Sequence, residues 1–86
     1  MQGLFNKVKN HNTHQRFVVS TIKKGEDLFE TAVFAATILY FPKSLSHPAL
    51  TIKTRSKGEA WDTHHRITTR LTTEFPARLF QEFAQT

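Results

Sequence analysis

The sequence predicts a small α+β domain. An antiparallel sheet of about three strands is packed by one main helix at about 57–72, with a short C-terminal helix at about 76–84. Three observations lead there. Residues 16–22 and 49–55 alternate and are rich in β-branched side chains. Residues 56–71 carry the clearest helical signature in the chain, starting at a serine suited to cap it. The strands precede that helix in order, so they are the surface available for its apolar stripe.

Residues 1–15 are mostly polar, with Leu4, Phe5 and Val8 the apolar points and Asn10-His11-Asn12-Thr13-His14 a loop. This segment is either a first edge strand or a loose arm. In residues 16–22, Phe17, Val19 and Thr21 fall on one face and Val18, Ser20 and Ile22 on the other. Lys23-Lys24-Gly25-Glu26-Asp27 then reads as a hairpin turn in which Gly25 is free to take a positive φ.

The run Leu28–Phe41 is ambiguous. As a helix it offers Leu28, Thr31, Ala32, Ala35 and Leu39 as a stripe; as a strand it alternates Glu30, Ala32, Phe34 and Ala36 against Thr31, Val33 and Ala35. Its β-branched and aromatic weighting and the glycine turn before it favour a strand. Apolar character on both faces makes that strand central. Pro42 ends the run, and 42–48 is a loop. Residues 49–55 form the third strand, with Leu50 and Ile52 on one face and Thr51, Lys53 and Arg55 on the other.

In the main helix, Ser56 caps the first turn and Glu59 stands where it completes a capping box. Ala60, His64, Ile67 and Leu71 form one stripe, flanked by Trp61. Asp62 and Arg66 make an exposed pair four residues apart, and Arg70 continues that outer face. Thr68, Thr69, Thr72 and Thr73 are weak helix formers, so fraying after Leu71 is expected. Phe75-Pro76 is a break, and Leu79, Phe80 and Phe83 give the short last helix its apolar side.

The 86 residues make a single domain with no repeats. A chain of this size buries only about 60–65% of its unfolded surface, so its stability margin is thin. There is no cysteine, which excludes disulfides and thiolate metal sites. The net charge of +5 and pI near 10.0 favour an acidic partner such as nucleic acid. No 18-residue apolar run exists to span a membrane, and the N-terminal residues lack the apolar core of a signal peptide, so a cytoplasmic location is expected.

Val19-Ser20-Thr21-Ile22, Phe29-Glu30-Thr31-Ala32-Val33-Phe34 and Arg55-Ser56-Lys57-Gly58-Glu59-Ala60 with His64 carry a resemblance. In this order they resemble a loose family of short, mostly uncharacterised tailed-bacteriophage proteins. That family has a strand ending in Ser-Thr, a Tyr-Glu-Thr-Met-Val-Phe strand and a helix opening Glu-Ala with a Gly-His pair a turn later. The match spans roughly residues 18–70. Phe29 stands for the Tyr, Ala32 for the Met and Thr63 for the Gly, and the loop is replaced by a longer apolar stretch at Ile38–Phe41. The resemblance implies a ββ(β)α fold and a phage accessory role in host cytoplasm, and it brings no catalytic residues.

Chemistry-bearing residues are few. His64 on the buried stripe reads as a core histidine bonded to Glu30 or to a strand threonine. A catalytic pair with Glu30 would need an open cleft. His11, His14, His64 and His65 do not have the spacing of converging zinc ligands, and Ser20 and Ser44 lack a nucleophile elbow. No enzyme activity, metal or cofactor is expected. The first functional reading is a non-enzymatic protein that binds and modulates a host protein or complex through Trp61, Phe80, Phe83, Arg66 and Arg70. The alternative is a nucleic-acid-associated module using Lys23, Lys24, Lys53, Arg55 and Lys57. Surplus aromatics and open sheet edges also point toward a homodimer.

Overall fold

The alternation of Phe17, Val19 and Thr21 with Val18, Ser20 and Ile22 organises the whole molecule. In the computed structural model, which describes residues 3–84, it becomes the centre of a four-stranded sheet. The strands are β1 (Gly3–Lys9), β2 (Arg16–Gly25), β3 (Leu28–Ala36) and β4 (Leu50–Thr54); the helices are α1 (Lys57–Thr73) and α2 (Pro76–Ala84). Spatial order follows chain order, β1-β2-β3-β4, and every neighbouring pair is antiparallel. Both helices share one face of the sheet.

The expected three strands are therefore four. Residues 3–9 are an edge strand and not a loose arm; Met1 and Gln2 lie outside the described residues. Its sequence is too polar to declare a strand because pairing along β2, from Gly3↔Ile22 to Lys9↔Arg16, supplies what hydrophobicity does not. Only Val8 of β1 joins the apolar core. Gly3 lies so close to β2 that a Cβ there would stand 2.7 Å from the Thr21 carbonyl oxygen.

The ambiguous run is strand as far as Ala36, and β3 is central. The remainder reverses: the Thr37 amide donates to the Phe41 carbonyl and the Tyr40 amide to the Thr37 carbonyl, both at 2.9 Å, with Tyr40 at φ 63°. A bridge between Ala36 and Pro42 closes this loop. Gly25 does not take the positive φ expected of it; the β2–β3 hairpin accommodates its turn by a register shift between Lys23 and Gly25.

The core lies between the sheet and the helices. Phe17, Val19, Val33 and Leu50 meet Ile67 and Leu71 of α1 and Leu79 of α2. Burying each such side chain fully contributes about 1.5–3 kcal/mol. The α1 stripe is the predicted one, with Ala60, His64, Ile67 and Leu71 all buried. At its start the Ser56 hydroxyl accepts from the Glu59 amide at 3.2 Å. Its end does not fray after Leu71. The Thr72 hydroxyl donates to the Thr68 carbonyl at 2.9 Å, and the β1–β2 loop caps the last carbonyls. No helix among the described residues is long and apolar enough to cross a membrane.

Candidate functional site

His64 is a structural residue. Its Nε2–H donates to Asn6 Oδ1 at 2.7 Å, and its Nδ1 accepts from the Thr21 hydroxyl at 2.8 Å. Thr21 in turn is 2.6 Å from the Thr31 hydroxyl. Every group in this chain has one role when the imidazole is neutral. Burial, with the neighbouring His65 adding to it, lowers its pKa to about 4. Of the two expected partner types the threonine is found. Glu30 is not a partner: alternation puts it on the opposite sheet face, beside Lys24 at 3.8 Å. The imidazole is fully buried among these partners.

Of the five residues expected to bind a partner, Trp61, Arg70, Phe80 and Phe83 are half-buried and make contacts within the fold, and Arg66 is exposed. Phe80 packs edge-on against Phe17 at 5.7 Å, and Trp61 edge-on against Phe29 at 6.0 Å. Phe83 is packed against the core with the guanidinium groups of Arg66 and Arg70 above its ring. Arg70 also bonds Glu74 at 2.7 Å and Glu82 at 2.5 Å, tying α1 to α2. These charge-assisted bonds raise the Arg70 pKa and lower that of Glu74. Arg66 lies 3.8 Å from Asp62, the exposed pair expected.

The predicted basic strip does gather at one end of the sheet. Lys23 pairs with Phe29, Glu30 with Lys53, and Arg55 and Lys57 follow β4 directly. Acid dilutes it there: Glu26, Asp27, Glu30 and Glu59 occupy the same end, and Lys57 lies over the Trp61 ring at 5.4 Å. The unopposed charge is elsewhere. Among the described residues no carboxylate is paired with Lys7, Lys9, Arg16 or Lys43. Lys9 and Arg16 stand directly opposite each other across β1 and β2. The Tyr40 ring lies between Lys7 at 5.9 Å and Arg16 at 5.7 Å.

The β3–β4 loop beside this cluster is the second feature; its apolar stretch at Ile38–Phe41 is visible in the sequence but is not among the residues expected to bind a partner. Ile38, Leu39, Phe41 and Leu45 are 71%, 70%, 64% and 75% exposed. The signal for it was the apolar run between Thr37 and Pro42, masked by its resemblance to a continued strand. At the foot of the loop a cavity of about 320 Å³ is lined by Arg16, Phe17, Ala35, Ile38 and Lys43. A wider groove of about 660 Å³ runs between edge strand β1 and the threonines of α1. Among the described residues no three His, Asp or Glu side chains converge as metal ligands. Searches against protein-family models, curated proteins and solved structures find no match to the chain.

Proposed function

We propose that this is a non-enzymatic interaction protein whose working surface is the β3–β4 loop, where it docks on another protein. The carrying observation is the exposure of four large apolar side chains, Ile38, Leu39, Phe41 and Leu45, within eight residues of one loop. Apolar side chains so concentrated mark association surfaces on small domains, and aromatic and large aliphatic anchors dominate such interfaces. The loop is held at its base by the Ala36–Pro42 bridge and by the Lys43 amide donating to the Ala35 carbonyl at 2.8 Å. It therefore presents its side chains on a fixed frame, which limits the ordering cost of binding. The resemblance to tailed-phage accessory proteins agrees with a host protein or complex as the partner.

The test is recovery of a partner from nuclease-treated bacterial lysate on the tagged protein, in parallel with the Ile38→Ser/Leu39→Ser/Phe41→Ser variant. A discrete protein retained at high salt by the parent and lost with the variant supports the reading. Equal recovery by both removes the loop from the function. Sedimentation of the parent alone identifies the case in which the partner is a second copy.

A further inference from the structure

The helices cover one face of the sheet; the other carries no helix, and what it displays is specific. On it lie Phe5, Lys7 and Lys9 of β1, Arg16 of β2 and Phe34 of β3, with Tyr40 folded across from the β3–β4 loop. We propose that this face binds single-stranded nucleic acid, a reading independent of protein docking by the loop.

Charge is the first argument. Like charges directly opposite on neighbouring strands destabilise a sheet. Lys9 and Arg16 are such a pair, Lys7 is close by, and no carboxylate of the described residues is paired with any of the three. The other cross-strand cations on this face, Lys24 and Lys53, flank a carboxylate, Glu30. A cluster with no carboxylate beside it calls for an anion from outside.

The aromatic groups decide which anion. Phe5 is 58% exposed on a surface-facing strand position, and Phe34 is half-buried two strands away. Two strand spacings are about 10 Å; Val18 and Ala32 between them are buried, so the rings themselves are the surface offered to bases. Aromatic rings beside backbone-tracking cations make the stacking platform by which proteins hold single strands. A duplex hides its base faces and requires a helix or ribbon that enters a groove, whereas both helices here are on the far side. An acidic peptide would satisfy the cations but gives Phe5 no stacking partner.

The test is fluorescence anisotropy with a labelled 12-nucleotide oligothymidylate, the matching duplex and a labelled poly-glutamate peptide, at 50 and 200 mM NaCl. The variants are Lys9→Gln and Phe5→Ala, neither a member of the apolar core, with Arg78→Gln on α2 as control. Three phosphate contacts to a single strand give a logarithmic salt slope of about −2, so affinity should fall roughly twentyfold between the two salts. Lys9→Gln should reduce that slope by about 0.7. Phe5→Ala should weaken binding about tenfold at unchanged slope, the cost of one lost stack. Arg78→Gln should behave as the parent. The proposal is overturned by absence of saturable binding at 50 mM, by equal affinity for the duplex, by indifference to Phe5→Ala, or by preference for the peptide. Circular dichroism of each variant separates loss of binding from loss of fold.

Discussion

Asn10 is separated from Leu71 by 61 positions in the chain, yet its side-chain amide donates to the Leu71 carbonyl at 2.7 Å and to that of Glu74 at 2.6 Å. The His11 amide takes the Thr72 carbonyl at 2.8 Å, and the Asn12 side chain takes that of Thr73. Together they satisfy the carbonyls that the end of a helix leaves without partners. Meanwhile Asn10 Oδ1 accepts from the amides of Asn12 and Thr13, both at 2.9 Å, which folds the loop that places these donors. The turn was legible, since Asn side chains favour such local bonds. Its target was not, because nothing local names a helix end 61 positions along the chain. Asn10→Ala should destabilise the fold by about 2–4 kcal/mol, the cost of several buried bonds lost at once. Asn10→Asp should be at least as damaging, because it sets a carboxylate against two carbonyl oxygens. Urea midpoints check both; a loss under about 1 kcal/mol for either would remove the loop as the clamp on α1.

At the scale of elements, α1 was readable in both position and face because its stripe follows from helical period alone. What its other side does was not readable. Arg66, Arg70 and Trp61 look like free contact residues on a helical projection, but α2 brings Phe83 under both guanidinium groups and β3 supplies Phe29 to Trp61, so Arg70 and Trp61 become half-buried while Arg66 stays exposed. The Arg70 bonds to Glu74 and Glu82 are the polar tie between the two helices. Arg70→Gln should therefore loosen α2 while leaving the sheet intact. Amide exchange across α2 should accelerate several-fold with β2 and β3 unchanged; uniform acceleration would mean that the network supports the whole fold. Strand β3 ends at Ala36 for a comparable reason: Thr37 bonds back to Phe41, which no propensity for extended structure anticipates.

Across the whole molecule, His64 joins α1 to Asn6 of β1 and Thr21 of β2, with Thr31 of β3 completing the chain of bonds. Its folded pKa is lowered from 6.5 to about 4. Stability from the neutral imidazole is thus fully present above pH 6.5, because below that the unfolded chain binds the proton more readily than the folded one. It falls as pH drops from 6.5 toward 4, by on the order of 3 kcal/mol in total. Urea denaturation at pH 7.5, 6, 5 and 4 should show this decline, and His64→Gln should flatten it. An equal decline in the variant would assign the acid sensitivity to other groups. The charge layout is a property of the same scale. All carboxylates lie in the β2–β3 turn, at the start of β3 or from Glu59 onward, which leaves the opposite end of the sheet basic.

The sequence by itself determined the fold class, the buried stripe of α1, the alternation of β2, the start of α2 at Pro76 and an internal role for His64. Each of these rests on the period of a local structure or on one residue's stereochemistry. Tertiary structure alone decided that residues 3–9 are a strand, that the Asn10 loop closes α1, and which aromatic and basic residues remain free. Those outcomes depend on which segments meet across long separations, and burial or pairing there outweighs what a residue's type suggests. Phe80 and Phe5 make the contrast plain: the same side chain is spent against Phe17 in one place and left open beside Lys7 and Lys9 in the other.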